Sequence, residues 1–383
     1  MALHFDETEF ANRRTRLSAA LEEKGLDGIL IFAQESMYWL TGYDTFGFCF
    51  FQCLFYGKDG RMALLTRSAD LRQAQHTSNI ADLRIWTDKA GATPADQLRD
   101  MLESLGQRGK RLGIETDTHG LTYKNGKAIE LVLEGYVHLT EASEIITRLR
   151  AVKSPAELVY VRKAAELADL ARAAAERVAG PGVDEGAVLA AQHAAIFEAG
   201  GDYPGNEFII GSDRDALLCR YKAGRRVLSE NDQLTLEFAG VYRHYHVAQM
   251  NTFVIGEPRQ RHKELHRAAR EALDAVENTL KPGKTAGDVF EAHREVMDAH
   301  GLEKHRLNAC GYSLGSRFTP SWMDWPMFYA GNPWILEPGM VMFTHMIIMD
   351  SDTGTAMCLG RTSLVTQGAC EPLSKASLDL VVK

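Results

Sequence analysis

Apolar positions recur at helical spacing over residues 9–25, where Phe10, Leu17, Leu21 and neighbouring alanines share one side and Gly25 marks the end. A continuous apolar run at 28–33 and a second ending at Thr66 are short enough to be buried strands, and residues 111–117 form a third that stops in an acid-rich turn. Helical patterns near 96–105 and 123–134 alternate with these strands, which predicts an α/β layer structure for residues 1–150. A new start signal follows at LRAVKSPAEL. Ser154 can cap a helix, Pro155 occupies its first turn where no amide is needed, and Glu157 completes a capping box. The alanine-rich helix so begun reaches about Val178 and ends at Gly180, Pro181 and Gly182. The predicted domains are therefore 1–150 and 151–383.

The second part carries an internal echo. Pro181 and Gly182 precede Val188 and Ala191, and Pro282 and Gly283 precede Val289 and Ala292 at the same offsets. Each turn follows a long helix and leads into another that runs to a glycine, Gly200 or Gly301; strand patterns occupy 208–212, 233–242, 250–256 and 340–348. Two αα-ββ halves predict an α+β domain with pseudo-twofold symmetry, one sheet covered by helices.

Composition narrows the class. Apolar residues make up 45% and charged residues 25% of 383, which is ordinary globular usage. The formal charge is −8, so a nucleic-acid partner is disfavoured: phosphate binding needs a basic face. No apolar run approaches the length of a membrane span, and the N-terminus lacks a signal-peptide pattern. Six cysteines with no zinc-finger spacing suit reduced cytosolic thiols, so a cytoplasmic enzyme is expected.

The strand around residue 237 is the most unusual. Alternation puts Leu234, Leu236 and Phe238 on one face, Thr235 and Glu237 on the other. A mid-strand carboxylate is costly unless paired or useful, which marks Glu237 as a catalytic candidate or as the partner of an arginine such as Arg220 or Arg243. His244 and His246 share a face by the same alternation and suit acid–base work or a solvated hairpin tip. Aromatic residues concentrate in two turn-rich segments, one at 37–52 with Tyr43, Phe46 and Phe48, the other at 310–329 with Cys310, Trp322, Trp325 and Phe328. Rings on loops suit a flat cation held against their π-faces.

The strings KSPAEL, LKPGKTAGDVF, LEPGMVMFT and the closing LVT resemble the pita-bread superfamily of aminopeptidase P, methionine aminopeptidase and creatinase. YWLTGYDTFGF, CRYKAGRR, LEFAGVYRHYH, NACGYSLG, WMDWPMFY and HMIIMDSDTG resemble the ectoine hydrolases within it. The resemblance implies a creatinase-type N-terminal domain, a pita-bread C-terminal domain, a homodimer, and a small-molecule substrate, ectoine or hydroxyectoine. An N-acetyl-diaminobutyrate deacetylase is a candidate partner. By motif order the peptidases' five metal-ligand positions fall at Glu237, near Ala248, at Cys310, at His345 and near Gly360. One carboxylate among five positions does not suit two hard divalent ions; a single softer ion on Cys310, His345 and Glu237 is the alternative. Creatinase's catalytic histidine position corresponds to Arg220 and its active-site glutamate lies near Met250, so creatine is a poor substrate guess.

The implied chemistry needs no cofactor. Glu237 attacks a cyclic amidinium carbon or deprotonates a water that does, the resemblance favouring direct attack; His345 or His246 shuttles the proton, Arg220 holds the substrate carboxylate or is salt-bridged to Glu237, and Phe46, Phe48, Trp322 and Trp325 pack the ring, Phe48 acting across a dimer interface. Arg361 and the polar run Gln249, Met250, Asn251 are expected to tune substrate preference. Other amidinohydrolases, a metal-dependent Xaa-Pro peptidase and a non-catalytic scaffold are the competing readings.

Overall fold

The computed structural model describes residues 3–220 and 225–383; residues 221–224 of the CRYKAGRR string lie outside them. The chain divides into two compact units, Met1–Arg150 and Ala151–Lys383.

The first unit begins with α1 (Glu7–Glu23), capped by Asp6, whose side chain accepts the Glu9 amide, and stopped where Gly25 takes a φ of 65°. There follow β1 (Gly28–Ile31), α2 (Gln34–Thr41), β2 (Cys53–Gly57), β3 (Met62–Thr66), α3 (Leu71–Thr77), β4 (Asp82–Ile85), α4 (Pro94–Ser104), β5 (Arg111–Ile114), α5 (Tyr123–Leu133), β6 (His138–Glu141) and α6 (Ser143–Ala151). The strands form one mixed sheet in the order β4-β3-β2-β1-β5-β6. Alternate residues feed two separate apolar clusters, Leu30, Cys53 and Phe55 in one, Ile29, Leu54 and Tyr56 in the other. One carboxylate is fully buried here. Glu115 follows β5 and accepts the amides of Phe32 and Ala33 at 2.9 and 2.8 Å, satisfying donors at the start of α2; burial still lifts it to about 7.

The second unit opens with α7 (Pro155–Val178), whose capping box joins Ser154 and Glu157 as its sequence predicts. Then come α8 (Glu185–Glu198), β7 (Ile209–Ser212), β8 (Asp232–Tyr242), β9 (Tyr245–Ile255), α9 (Gln260–Thr279), α10 (Ala286–Ala299), β10 (Gly311–Ser313), β11 (Asp324–Met327), β12 (Val341–Asp350), β13 (Thr355–Leu364) and β14 (Glu371–Pro372). The sheet is antiparallel throughout, ordered β11-β10-β12-β13-β9-β8-β7 with β14 beside β13. The echo in the sequence is structural: Gly182 and Gly283 take φ of 79° and 82°, and two residues after each a helix is capped, by Asp184 and Thr285. Each helix pair lies beside one long hairpin, β8–β9 or β12–β13. Gly240 lets β8 approach α7; a Cβ there would sit 2.0 Å from the Ala164 carbonyl.

Two expectations change. The β8–β9 hairpin turns through Arg243 and His244 at φ of 51° and 65°, a two-residue turn, so β9 begins at Tyr245. His244 therefore sits in the turn, stacked 4.1 Å from Phe318, while His246 is a buried strand residue; they form no pair on one face. Arg361 does not reach the other face of the sheet either. Its guanidinium engages Glu277 of α9, Nε donating to Oε1 at 2.6 Å. Gln249 likewise turns to Asp169 of α7. Among the described residues no helix is long and apolar enough to cross a membrane.

Candidate active site

Strand register places the central side chains. Glu237 pairs with Met250, Met250 with Gly360, and Gly360 with His345, so one cross-strand row runs through β8, β9, β13 and β12. Directly opposed residues share a face, which sets Glu237 and His345 on the same side of the sheet. That side opens into a cavity of about 370 Å³. Glu237, His345, Arg220, Tyr312 and Trp322 line it, with Leu307, Met323, Met327 and Ile347 as apolar wall.

Among the described residues, one hydrogen bond holds Glu237. The Tyr312 hydroxyl donates to its Oε1 at 3.0 Å, and Trp322 Nε1–H donates in turn to the Tyr312 oxygen at 2.9 Å. The contrast with Glu115 is informative: that carboxylate satisfies two backbone amides, whereas Glu237 faces a cavity. Burial raises the Glu237 carboxyl to about 7, against the Tyr312 hydrogen bond and the positive charge of Arg220, which both pull it down. Burial and the Glu237 charge push the Tyr312 hydroxyl well above its ordinary value, so it donates rather than ionises. Arg220 lines the same cavity, with Glu207 as a second acid on the wall, and its charge acts on both Glu237 and His345.

His345 is 8% exposed, and among the described residues its Nδ1 has no hydrogen-bond partner. Burial first, and then the Arg220 charge, lower it to about 4, so near neutrality it is an uncharged imidazole and a weaker base than a free one, not the group changing charge near pH 7 that its residue type suggests. His246 lies elsewhere in the same unit: it is fully buried, accepts the Gly205 amide at Nε2 (2.8 Å), and is absent from the cavity wall.

The remaining candidates separate. Cys310 and Phe328 belong to the core beside α9 and α10, with the Cys310 thiol facing the Val289 carbonyl at 4.0 Å. Trp325 is 40% exposed and does not line the cavity. Tyr43, Phe46 and Phe48 belong to the first unit, where Phe46 is exposed and Tyr43 is buried with its hydroxyl on Gln52. Sequence reasoning missed Tyr312, although it stands inside the NACGYSLG string; only the pairing of β10 with β12 turns its ring toward Phe343 and His345.

Comparison with known proteins then decides the family. The model of Metallopeptidase family M24 matches residues 159–367, and that of the Creatinase/Prolidase N-terminal domain matches residues 13–152. The chain belongs to metallopeptidase family M24. It is 27% identical to an ectoine hydrolase of Halomonas elongata, covering 100% of this chain and 99% of that protein. It is 22% identical to an Xaa-Pro dipeptidase of Pyrococcus furiosus, covering 96% and 99%. Among solved structures, an Xaa-Pro dipeptidase from Bacillus anthracis superposes with a TM-score of 0.84 at 22% identity, covering 98% of this chain and all of that one. The fold is thus a creatinase-type N-terminal domain followed by a pita-bread domain, and the relatives are hydrolases.

The family name implies metal, and the donor set can be tested. Of the five positions the resemblance points to, Ala248 and Gly360 offer no ligand, and the Cys310 thiol faces α10. Glu237 and His345 remain, which does not fit a pair of divalent ions. Among the described residues the one group of three donors within mutual reach is His305, Asp350 and Asp352, where Arg261 already binds Asp350 at 2.7 Å.

Proposed function

We propose that this chain opens the ring of a small cyclic amidinium carboxylate, ectoine or its hydroxylated analogue, with Glu237 as nucleophile and no resident metal. The observation that carries the reading is a buried carboxylate, oriented by Tyr312, in a small cavity that Arg220 also lines. A protonated cyclic amidine presents an electrophilic carbon flanked by two nitrogens, and its carboxylate suits Arg220. Glu237 adds to that carbon through one oxygen. Collapse breaks one ring carbon–nitrogen bond as the proton of the retained nitrogen passes to the leaving one, giving a free amine and an imidoyl ester of Glu237. Water then attacks the same carbon and restores the carboxylate as the retained carbon–nitrogen group becomes the amide, and His345 passes the water's proton to the released amine, which becomes the ammonium group. The sum is amidinium plus water to amide plus ammonium, an N-acetyl-diaminobutyrate. The reading carries with it a homodimeric, cytoplasmic enzyme.

Purified protein with ectoine in excess EDTA, followed by proton NMR, tests this. Ring opening at an undiminished rate is expected, and Glu237→Gln is expected to lower kcat by roughly 10³-fold or more. No turnover in EDTA, restored by manganese, would assign the chain to peptidase-type chemistry instead.

A further inference from the structure

Glu237 is aimed by a chain of contacts that starts away from the cavity. Trp322 belongs to the 315–322 loop, and its backbone amide donates to Asn206 Oδ1 at 3.1 Å, tying it to the 203–207 loop. Between these loops Gly205 lies so close that a Cβ would meet the Ser321 and Trp322 backbone at 3.0 Å. His246, at the start of β9, touches both. Its Nε2 accepts the Gly205 amide at 2.8 Å, its Nδ1 faces the Gly315 carbonyl at 3.4 Å, and its own backbone amide donates to that carbonyl at 3.2 Å. A single form of imidazole satisfies both ring contacts, the neutral one with its proton on Nδ1.

We propose that His246 is a positioning residue that latches the 203–207 loop onto the 315–322 loop and thereby fixes where Trp322 and Tyr312 hold the Glu237 carboxylate. The inference rests on Glu237 as the reacting group, and it assigns His246 no proton transfer to substrate. The route is continuous: His246 to Gly205, the adjacent Asn206 to Trp322, Trp322 Nε1–H to Tyr312, Tyr312 to Glu237. The ring of His246 also stands 6.3 Å from that of Trp322. A buried amide such as that of Gly205 has no water to turn to, so removing the acceptor frees the loop rather than replacing one bond by another.

Three substitutions separate positioning from proton transfer. His246→Gln keeps an acceptor at the distance of Nε2, His246→Asn keeps only a donor toward Gly315, and His246→Leu keeps neither. Amide hydrogen exchange over 203–207 in the full chain, read by mass spectrometry, is expected to quicken in the Asn and Leu variants and to stay near wild type in Gln. With ectoine, kcat is expected to fall roughly 10- to 100-fold in Asn and Leu with KM little changed, since a small misplacement of a reacting group is enough for such losses; Gln is expected to recover most of it. Equal loss in Gln and Leu would mean that the imidazole itself moves protons, and the proposal falls. Unchanged exchange in Asn also overturns it. Should Leu fail to fold, the Asn–Gln pair carries the comparison. Failure of wild type to open ectoine would sink the functional reading alone, because the exchange data stand without turnover.

Discussion

At the residue scale, Glu237 was visible in the sequence because strand alternation is rigid: a carboxylate opposite Leu236 and Phe238 must face whatever the other side of the sheet offers. Its charge behaviour follows from that placement. Since burial raises its folded value above the ordinary carboxylate range, to about 7, the ionised form is lost as pH falls through about 7, and on the proposed mechanism kcat should fall with it. Tyr312→Phe removes a contact that lowers this value, so the acid limb of the pH–rate profile should move upward. A hydrogen bond to a charged group is worth about 1.5–3 kcal/mol, so kcat near pH 7 should drop on the order of 10-fold. Stability responds with the opposite sign. A carboxyl whose folded pKa is raised binds its proton more tightly folded than unfolded, so its charge weakens the fold as pH rises through roughly 4.5 to 7. Glu237→Gln should therefore melt close to wild type at pH 4.5 and more stably at pH 8, by a difference on the order of 3 kcal/mol. Parallel melting curves at both pH values would show that Glu237 is not a buried charge. Tyr312 stayed hidden in the sequence because its role depends on long-range register, and Cys310 and Phe328 looked like cavity residues for the same reason.

At the element scale, caps and punctuation were the legible part. Ser154, Pro155 and Glu157 start α7 where they predict, and the paired Pro–Gly turns lead into α8 and α10. Strand β13 escaped notice. Its ten residues are buried on both faces, with Gly360 and Arg361 in the middle, so no apolar–polar alternation marks it. Half of β9 was missed too, because histidines near a tight turn read as a solvated tip. Packing between elements gives a sharper test. Gly240→Ala drives a methyl into the Ala164 carbonyl of α7, a backbone atom that cannot swing aside. We expect a loss of about 2–3 kcal/mol in urea unfolding, with kcat per folded molecule unchanged. A variant of wild-type stability would mean that α7 lies farther from β8.

At the scale of the whole molecule, the duplicated plan of the second part was readable from equal offsets in sequence; the division of labour between the copies was not. Glu237 stands on a strand of the first αα-ββ half, while Tyr312, Trp322 and His345 come from the second. Neither repeat, then, contains the whole of the proposed centre. A chain severed between Gly256 and Arg259, ahead of α9, would leave the acid on one fragment and its tyrosine on the other. Turnover should return only when both pieces are mixed and reassociate, with a rate that depends on the concentration of each.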